Sequence, residues 1–218
     1  QAGIYMKHPR IIRIKADMVD QMDYDKILSM YQDRFKDASD FTFIFVGNVD
    51  VEKMKPVIAE YLGALPAVNR KETFKDNKIE MRQGIYKNEF TKQQETPKAS
   101  VFAFYNGDCK YDLRNNLLLS MTSQILDLVY TEKVREDEGG TYGVYVGGTL
   151  QKYPKEKAIL QIIFDTAPEK KEKLMKIIFG EIDNITKTGP SEANLNKVKE
   201  YMLKKHTEDL KENSYWLR

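Results

Sequence analysis

Val134-Arg-Glu-Asp-Glu-Gly-Gly-Thr-Tyr-Gly-Val144 joins a helical pattern to a strand pattern. Upstream of it Leu117, Leu118, Met121, Ile125, Leu128 and Val129 share one face at helical spacing, behind Asp112, a residue suited to cap a helix. The helix runs into the charged Arg135–Glu138 and ends at Gly139-Gly140, where positive φ is free of cost. From Tyr142 to Leu150 the pattern changes to a strand, with Tyr142, Val144 and Val146 on one side. Lys157 to Thr166 predicts a second strand, returning through a turn at Tyr153-Pro154. A long helix followed by a strand pair is thus the local unit.

Working outward, residues 84–92 and 98–106 predict another strand pair, with Thr96-Pro97 between them and a turn at Asn106-Gly107-Asp108. Residues 67–82 are polar and basic and read as an exposed loop, the best internal linker. Phe41-Thr-Phe-Ile-Phe-Val46 is apolar, aromatic and short, and predicts a buried central strand. Helices are predicted on either side of it. Tyr24, Ile27, Leu28, Tyr31 and Phe35 mark one. Met54, Val57, Ile58, Tyr61 and Leu62 mark the other, capped by Asp50 and stopped near Gly63 and Pro66. Downstream, Pro168 opens a helix carrying Leu174, Ile177, Ile178 and Ile185, which Gly189-Pro190 ends. Ser191 caps a last helix with Leu195, Val198, Met202 and Leu210.

The order α-β-α-β-β-α-β-β-α-α predicts an α+β fold: a two-layer sandwich with a mixed or mostly antiparallel sheet and helices on one face. Strands do not alternate one-for-one with helices, so a Rossmann unit is excluded. Residues 1–22 lack a clean period and read as a lead-in; residues 23–218 read as one domain.

With 41% hydrophobic and 31% charged residues, the 218-residue chain has an ordinary globular composition. The net charge is +2 and the signs are interspersed, which argues against a nucleic-acid partner. No apolar run reaches the roughly 18 residues of a membrane span. Cys109 is the only cysteine, so no internal disulfide forms. Gln1 in place of an initiator Met, and a helix-like end at Tyr215-Trp-Leu-Arg218, predict a piece of a longer protein.

Much chemistry is missing. His8 and His206 are the two histidines, and neither belongs to a His-x-x-x-His or His-x-x-Glu-His motif. A catalytic zinc normally needs three protein ligands, and no such set is legible. There is no Gly-x-Ser-x-Gly elbow. Gly139-Gly-Thr-Tyr-Gly143 lacks the Lys-Ser/Thr of a phosphate loop and precedes a strand rather than a helix, which excludes nucleotide binding.

The helix–strand corner remains. Arg135 projects from the last helical turn and Tyr142 stands at the strand start. Together they can grip a peptide carbonyl, or stabilise an oxyanion developing on it. A plainer reading stands beside this one. Arg135 complements the helix dipole, worth about 0.3–1 kcal/mol, and Tyr142 is a half-buried strand aromatic.

The stretch Val134 to Val146 resembles the arginine–tyrosine signature of the C-terminal-type domain of the insulinase/pitrilysin zinc peptidases (inverzincins). The spacing of seven from Arg135 to Tyr142 matches. Asp40-Phe-Thr-Phe-Ile-Phe-Val-Gly-Asn-Val-Asp50, with the helix ending Tyr61-Leu-Gly-Ala-Leu-Pro66, is similar to the family's domain opening. Ser191-Glu-Ala-Asn-Leu-Asn-Lys-Val-Lys199 is similar to its late helix. The resemblance covers about residues 23 to 217. Gly140 departs from the family's usual Leu, and Val134 replaces the common Leu.

The resemblance implies the non-zinc, substrate-enclosing domain of a zinc metalloendopeptidase. Two halves would close on a peptide or unfolded polypeptide. Zinc and the general base would belong to the other half, on the same chain or a partner subunit, and no cofactor would be bound here. Tyr142 would donate to the tetrahedral oxyanion, and Arg135 would bind the substrate backbone and hold Tyr142. The fragment alone would be inactive. Bacterial members of the periplasm or cell envelope are the nearest in style. The alternative is a catalytically dead family member acting as a scaffold or partner subunit.

Overall fold

The computed structural model describes residues 3–136 and 143–217, the side chains of Arg135 and Glu136 excepted. In chain order the elements are α1 (Ala16–Val19), α2 (Tyr24–Phe35), α3 (Val51–Tyr61), β1 (Ala99–Asp108), α4 (Leu113–Tyr130), a π-helical turn (Thr131–Glu136), β2 (Val144–Gln151), β3 (Lys157–Thr166), a 3₁₀ turn (Pro168–Lys170), α5 (Lys171–Thr188), α6 (Glu192–Asp209) and α7 (Asn213–Trp216). They divide into two compact units, Gln1–Arg82 with Thr207–Arg218, and Gln83–His206. The division at Arg82 closes the polar stretch 67–82.

The second unit is a helix-backed antiparallel sheet, as the hydrophobic patterns predict. Its strand order is β1-β3-β2. Register sets two faces. Val101, Phe164 and Val144 lie abreast, as do Ala103, Ile162 and Val146, and this face meets the helices. Phe102, Ile163 and Tyr145 lie abreast on the other face, where Phe102 is 60% and Tyr145 55% exposed.

The core joins Ile125, Leu126, Val129 and Tyr130 of α4, Val134, Val144, Ile162 and Phe164, Leu174 and Ile178 of α5, and Val198 of α6. Close approach of α4 to β2 depends on Gly148. A Cβ there would stand 2.7 Å from Leu119 Cγ and 2.7 Å from Ser123 Oγ. The helix starts follow the capping residues. Asp112 accepts from Asn115 N–H at 2.8 Å, and Ser191 from Asn194 N–H at 3.2 Å. Gly189, at φ 76°, ends α5 in a conformation that side chains disfavour.

In the first unit, Asp23 caps α2 and Asp50 caps α3. Their apolar stripes are laid out as the spacing predicts, yet Tyr24, Ile27, Tyr31 and Phe35 are each more than half exposed.

Two predicted strands are absent. Phe41–Val46 forms no ladder, and Phe41, Phe43, Ile44 and Phe45 are exposed. An apolar aromatic run becomes a strand only when a neighbouring backbone completes its hydrogen bonds. The first unit has no strand among its described residues. The run instead steps from ring to ring, with Phe35–Phe41 centroids 5.9 Å apart and Phe41–Phe43 6.2 Å. Residues 84–92 also carry no ladder. The predicted turn Asn106-Gly-Asp108 is the end of β1, each residue paired with β3.

Candidate functional site at the helix–strand corner

The corner is built from its anchors inward. Tyr130, the last residue of α4, is fully buried and its phenol donates to the Ile178 carbonyl at 3.0 Å. Burial, reinforced by neighbouring Tyr105 and Glu181, pushes that phenol well above its ordinary range. The chain then changes pitch. The Thr131 N–H is shared between the carbonyls of Asp127 and Leu128, and residues 131–136 form the π-helical turn. Such turns widen the helix and occur often at functional sites. Val134, at 0% exposure, roots the turn in the core. Lys133 Nζ reaches Glu181 Oε1 of α5 at 2.6 Å.

On the far side β2 starts at Val144, buried opposite Phe164. Val144 and Val146 share the helix-covered face, as their alternation predicts. Arg135 contributes backbone to the π turn, but its side chain and all of Tyr142 lie outside the described residues. The structure therefore describes the supports of this pair and not the pair itself.

Tyr130 and Val134 carry the turn, and the sequence reading passed over both as anchors. The available signal was the i, i+4 series Leu126, Tyr130, Val134, one stripe that continues the helix face past Val129.

A second polar constellation lies in the first unit. The buried Asp37 carboxylate accepts from Ser39 Oγ at 2.5 Å and from the N–H groups of Ser39 (3.0 Å), Val68 (3.0 Å) and Arg70 (2.6 Å). The Ser39 hydroxyl and then these amides hold it well below the usual carboxylate range, against burial. Beside it a cavity of about 310 Å³ is lined by Arg34, Asp37, Asp40, Phe41, Arg70 and Glu72. Arg70 Nη2 meets Glu72 at 2.7 Å and Arg34 meets the same carboxylate at 3.2 Å. Both guanidinium groups are spent on internal carboxylates, so the constellation works as a clamp between 37–39 and 68–70.

Among the described residues no group of three His, Cys, Asp or Glu side chains is placed to hold a metal ion. His8 Nε2 lies 3.1 Å from the Asn77 carbonyl oxygen. No helix among the described residues is long and apolar enough to cross a membrane.

The family model described as the peptidase M16 inactive domain matches residues 21–202. A zinc protease PQQL-like protein of Arabidopsis thaliana is 23% identical over 217 residues, covering 94% of this chain and 23% of its own length. The periplasmic protease PqqL of Escherichia coli superposes with a TM-score of 0.78 at 19% identity, over 98% of this chain and 24% of that one. The ferredoxin protease FusC, solved in complex with Arabidopsis ferredoxin, gives 0.72 at 14% identity, over 98% of this chain and 23% of that one. These structural likenesses establish the fold. The chain spans about a quarter of the length of these relatives.

Proposed function

The chain belongs to the peptidase M16 inactive-domain family, and from that premise we propose that it is the non-zinc, substrate-enclosing domain of a zinc metalloendopeptidase, part of the half that closes over a peptide substrate. The match runs across both compact units, which supports residues 23–218 as one domain of a longer protein, behind a lead-in of residues 1–22. Zinc and the activated water are supplied by the other half, on the same chain or a partner subunit. Substrates are peptides or unfolded polypeptides. FusC is a ferredoxin protease, so a whole protein is a further substrate class to assay. The likeness to periplasmic PqqL favours a bacterial cell-envelope setting.

In this reading Tyr142 donates a hydrogen bond to the tetrahedral oxyanion, and Arg135 binds the substrate backbone and holds the phenol in place. The observation that carries the reading is the pair of anchors around the segment. Val134, on the π-helical turn tied to α5, and Val144, at the start of β2, are both buried and flank the stretch of sequence that carries Arg135 and Tyr142. A donor gains catalytic value only when its position is set before the reaction, and rooted flanks are what set it. The open sheet face with Phe102 and Tyr145 supplies an apolar wall for enclosure.

The deciding experiment is zinc-dependent hydrolysis of a quenched fluorescent peptide by this chain and by the full-length parent. Activity confined to the parent supports the reading. A zinc-loaded parent that cleaves none of a varied peptide set overturns it in favour of a catalytically dead scaffold or partner subunit.

A further inference from the structure

The open face of the second unit's sheet is short of charge. The chain has 31% charged residues, yet two successive rows across the three strands carry none: Phe102–Ile163–Tyr145 and Phe104–Gln161–Gly147. Charge returns in the next row on this face, at Asp165, and there it is already paired. Ser100 Oγ donates to one carboxylate oxygen at 2.5 Å and Lys98 Nζ to the other at 3.0 Å.

One ring in these rows is held in place. Tyr145 lies along its own strand, over Gly147. A Cβ added at Gly147 would stand 2.5 Å from the phenol oxygen and 3.0 Å from two ring carbons, so the glycine is what lets the ring lie there. Gln161, directly across from Gly147, donates from Nε2 to the same phenol oxygen at 3.3 Å. A side chain already seated loses little further freedom when another group stacks on it. Phe102 and Tyr145 flank Ile163 and are 60% and 55% exposed. Aromatic surface left to water in an uncharged surround suits an apolar side chain, and above all an aromatic one, which adds ring–ring contact. A carboxylate side chain would shed water there against neighbours that carry no charge.

We propose that Tyr145, seated over Gly147, is a specificity-determining residue, and that with Phe102 it forms a subsite for an aromatic side chain of the substrate peptide. The inference rests on the peptidase reading for its occupant, a peptide. Tyr145 follows Tyr142 by three residues, a reach of at most about 11 Å. The subsite therefore takes a side chain within a few positions of the scissile bond.

Two measurements test the subsite and separate it from the peptidase reading. The first uses the 218-residue chain and needs no hydrolysis. A capped alanine-rich peptide with one central Phe, and its counterparts with Glu or Lys in that place, are titrated against the chain by NMR. The Phe peptide is expected to move the resonances of Phe102, Tyr145 and Ile163 and to bind about tenfold tighter than either counterpart. The second uses the full-length parent and quenched peptides that carry Phe, Glu or Lys beside the scissile bond. Tyr145→Ala is expected to cut the preference for Phe over Glu, as a ratio of kcat/KM values, by about tenfold. Gly147→Ala keeps the ring but pushes it off its seat, and is expected to act in the same direction. A zinc-loaded parent that cleaves nothing overturns the peptidase reading, and the NMR titration then decides the subsite alone. Equal binding of the peptides, a preference for Lys, or shifts confined to other surfaces overturns the subsite whatever the parent cleaves. So does a Phe-over-Glu ratio that Tyr145→Ala leaves unchanged in an active parent. A dimer of the 218-residue chain that buries Tyr145 overturns it too, since a second copy is then the occupant.

Discussion

The phenol of Tyr130 donates to the backbone carbonyl of Ile178 at 3.0 Å, inside the core, one residue before α4 widens into the π turn. This bond ties the end of α4 to the middle of α5 and so supports the turn that carries Arg135. Tyr130→Phe keeps the ring and removes only the donor. The expected loss is about 0.5–1.5 kcal/mol of unfolding free energy. For a chain of this size ~1 kcal/mol corresponds to about 2–4 °C in Tm. Urea and thermal unfolding of the two proteins measure it, and an unchanged midpoint would show that the bond adds nothing.

The same phenol gives the chain an alkaline limit. Burial first, then Tyr105 and Glu181, raise its pKa in the folded state. A group with a raised folded pKa stabilises fully below its unfolded value, about pH 10 for tyrosine. That contribution is lost as pH climbs from there toward the folded value. Wild type is therefore expected to lose stability above about pH 10 more steeply than Tyr130→Phe. Parallel curves for the two would remove Tyr130 as the cause.

Asp37 gives the opposite limit in the first unit. Its folded pKa is depressed, chiefly by the Ser39 hydroxyl, so its contribution is complete above the unfolded value of about 3.9 and is lost as pH falls below it. The amide resonances of Val68 and Arg70, its two distant donors, report the titration directly. They are expected to hold steady through the usual carboxylate range and move only in stronger acid. Ser39→Ala removes the largest cause and is expected to shift that movement to higher pH. At neutral pH, Asp37→Ala frees 68–70, and trypsin is expected to cut after Arg70 and Lys71 faster than in wild type.

The helices α3, α4 and α6 were legible because two independent signals agree in each. Asp50, Asp112 and Ser191 stand where their side chains cap, and the apolar stripes begin just beyond them. Lys157–Thr166 was legible as a strand returning through the turn at Tyr153-Pro154, and it becomes the central strand. Phe41–Val46 shows the limit. Its composition is the most strand-like in the chain, but a strand is a relation between two backbones, and one segment's side chains say nothing about the partner. The corner was legible as chemistry, since charge, two glycines and a tyrosine at a helix–strand junction are unusual together. Its supports were legible only as a stripe, Leu126, Tyr130 and Val134, without the roles they play. The stripe does not reveal the change of pitch over Thr131–Glu136, and the hydrogen-bond partner of Tyr130 is Ile178, 48 positions away.

Gly148 tests how tightly α4 must lie on β2. A side chain there would strike Leu119 Cγ and Ser123 Oγ at 2.7 Å, on the helix face of the sheet. Gly148→Val is expected to destabilise by about 1–3 kcal/mol, the range for overpacking a well-filled interface. Gly107 is the control in the same sheet, because a Cβ added there meets nothing within 4 Å. Gly107→Ala is expected to lie within about 0.5 kcal/mol of wild type. Equal effects in urea denaturation would mean that strand propensity, not the α4 contact, decides the cost.

Tyr142 and Arg135 are separable in the full-length parent, because the roles proposed for them fall on different kinetic constants. A phenol that touches only the developing oxyanion contributes in the transition state and little to substrate binding. Tyr142→Phe is therefore expected to lower kcat by about 10²–10³ while KM changes little. Arg135 grips the substrate backbone in the ground state as well, so Arg135→Gln is expected to raise KM and, by loosening Tyr142, to lower kcat too. Because both residues act through one phenol, the double variant is expected to fall well short of the product of the single effects on kcat. Steady-state kinetics on the quenched peptide resolve this. A Tyr142→Phe enzyme within about twofold of wild type would be far below the cost of losing an oxyanion donor and would remove the residue from the chemistry. The corner would then be left with the plainer reading, a helix-end charge and a strand aromatic held between Val134 and Val144.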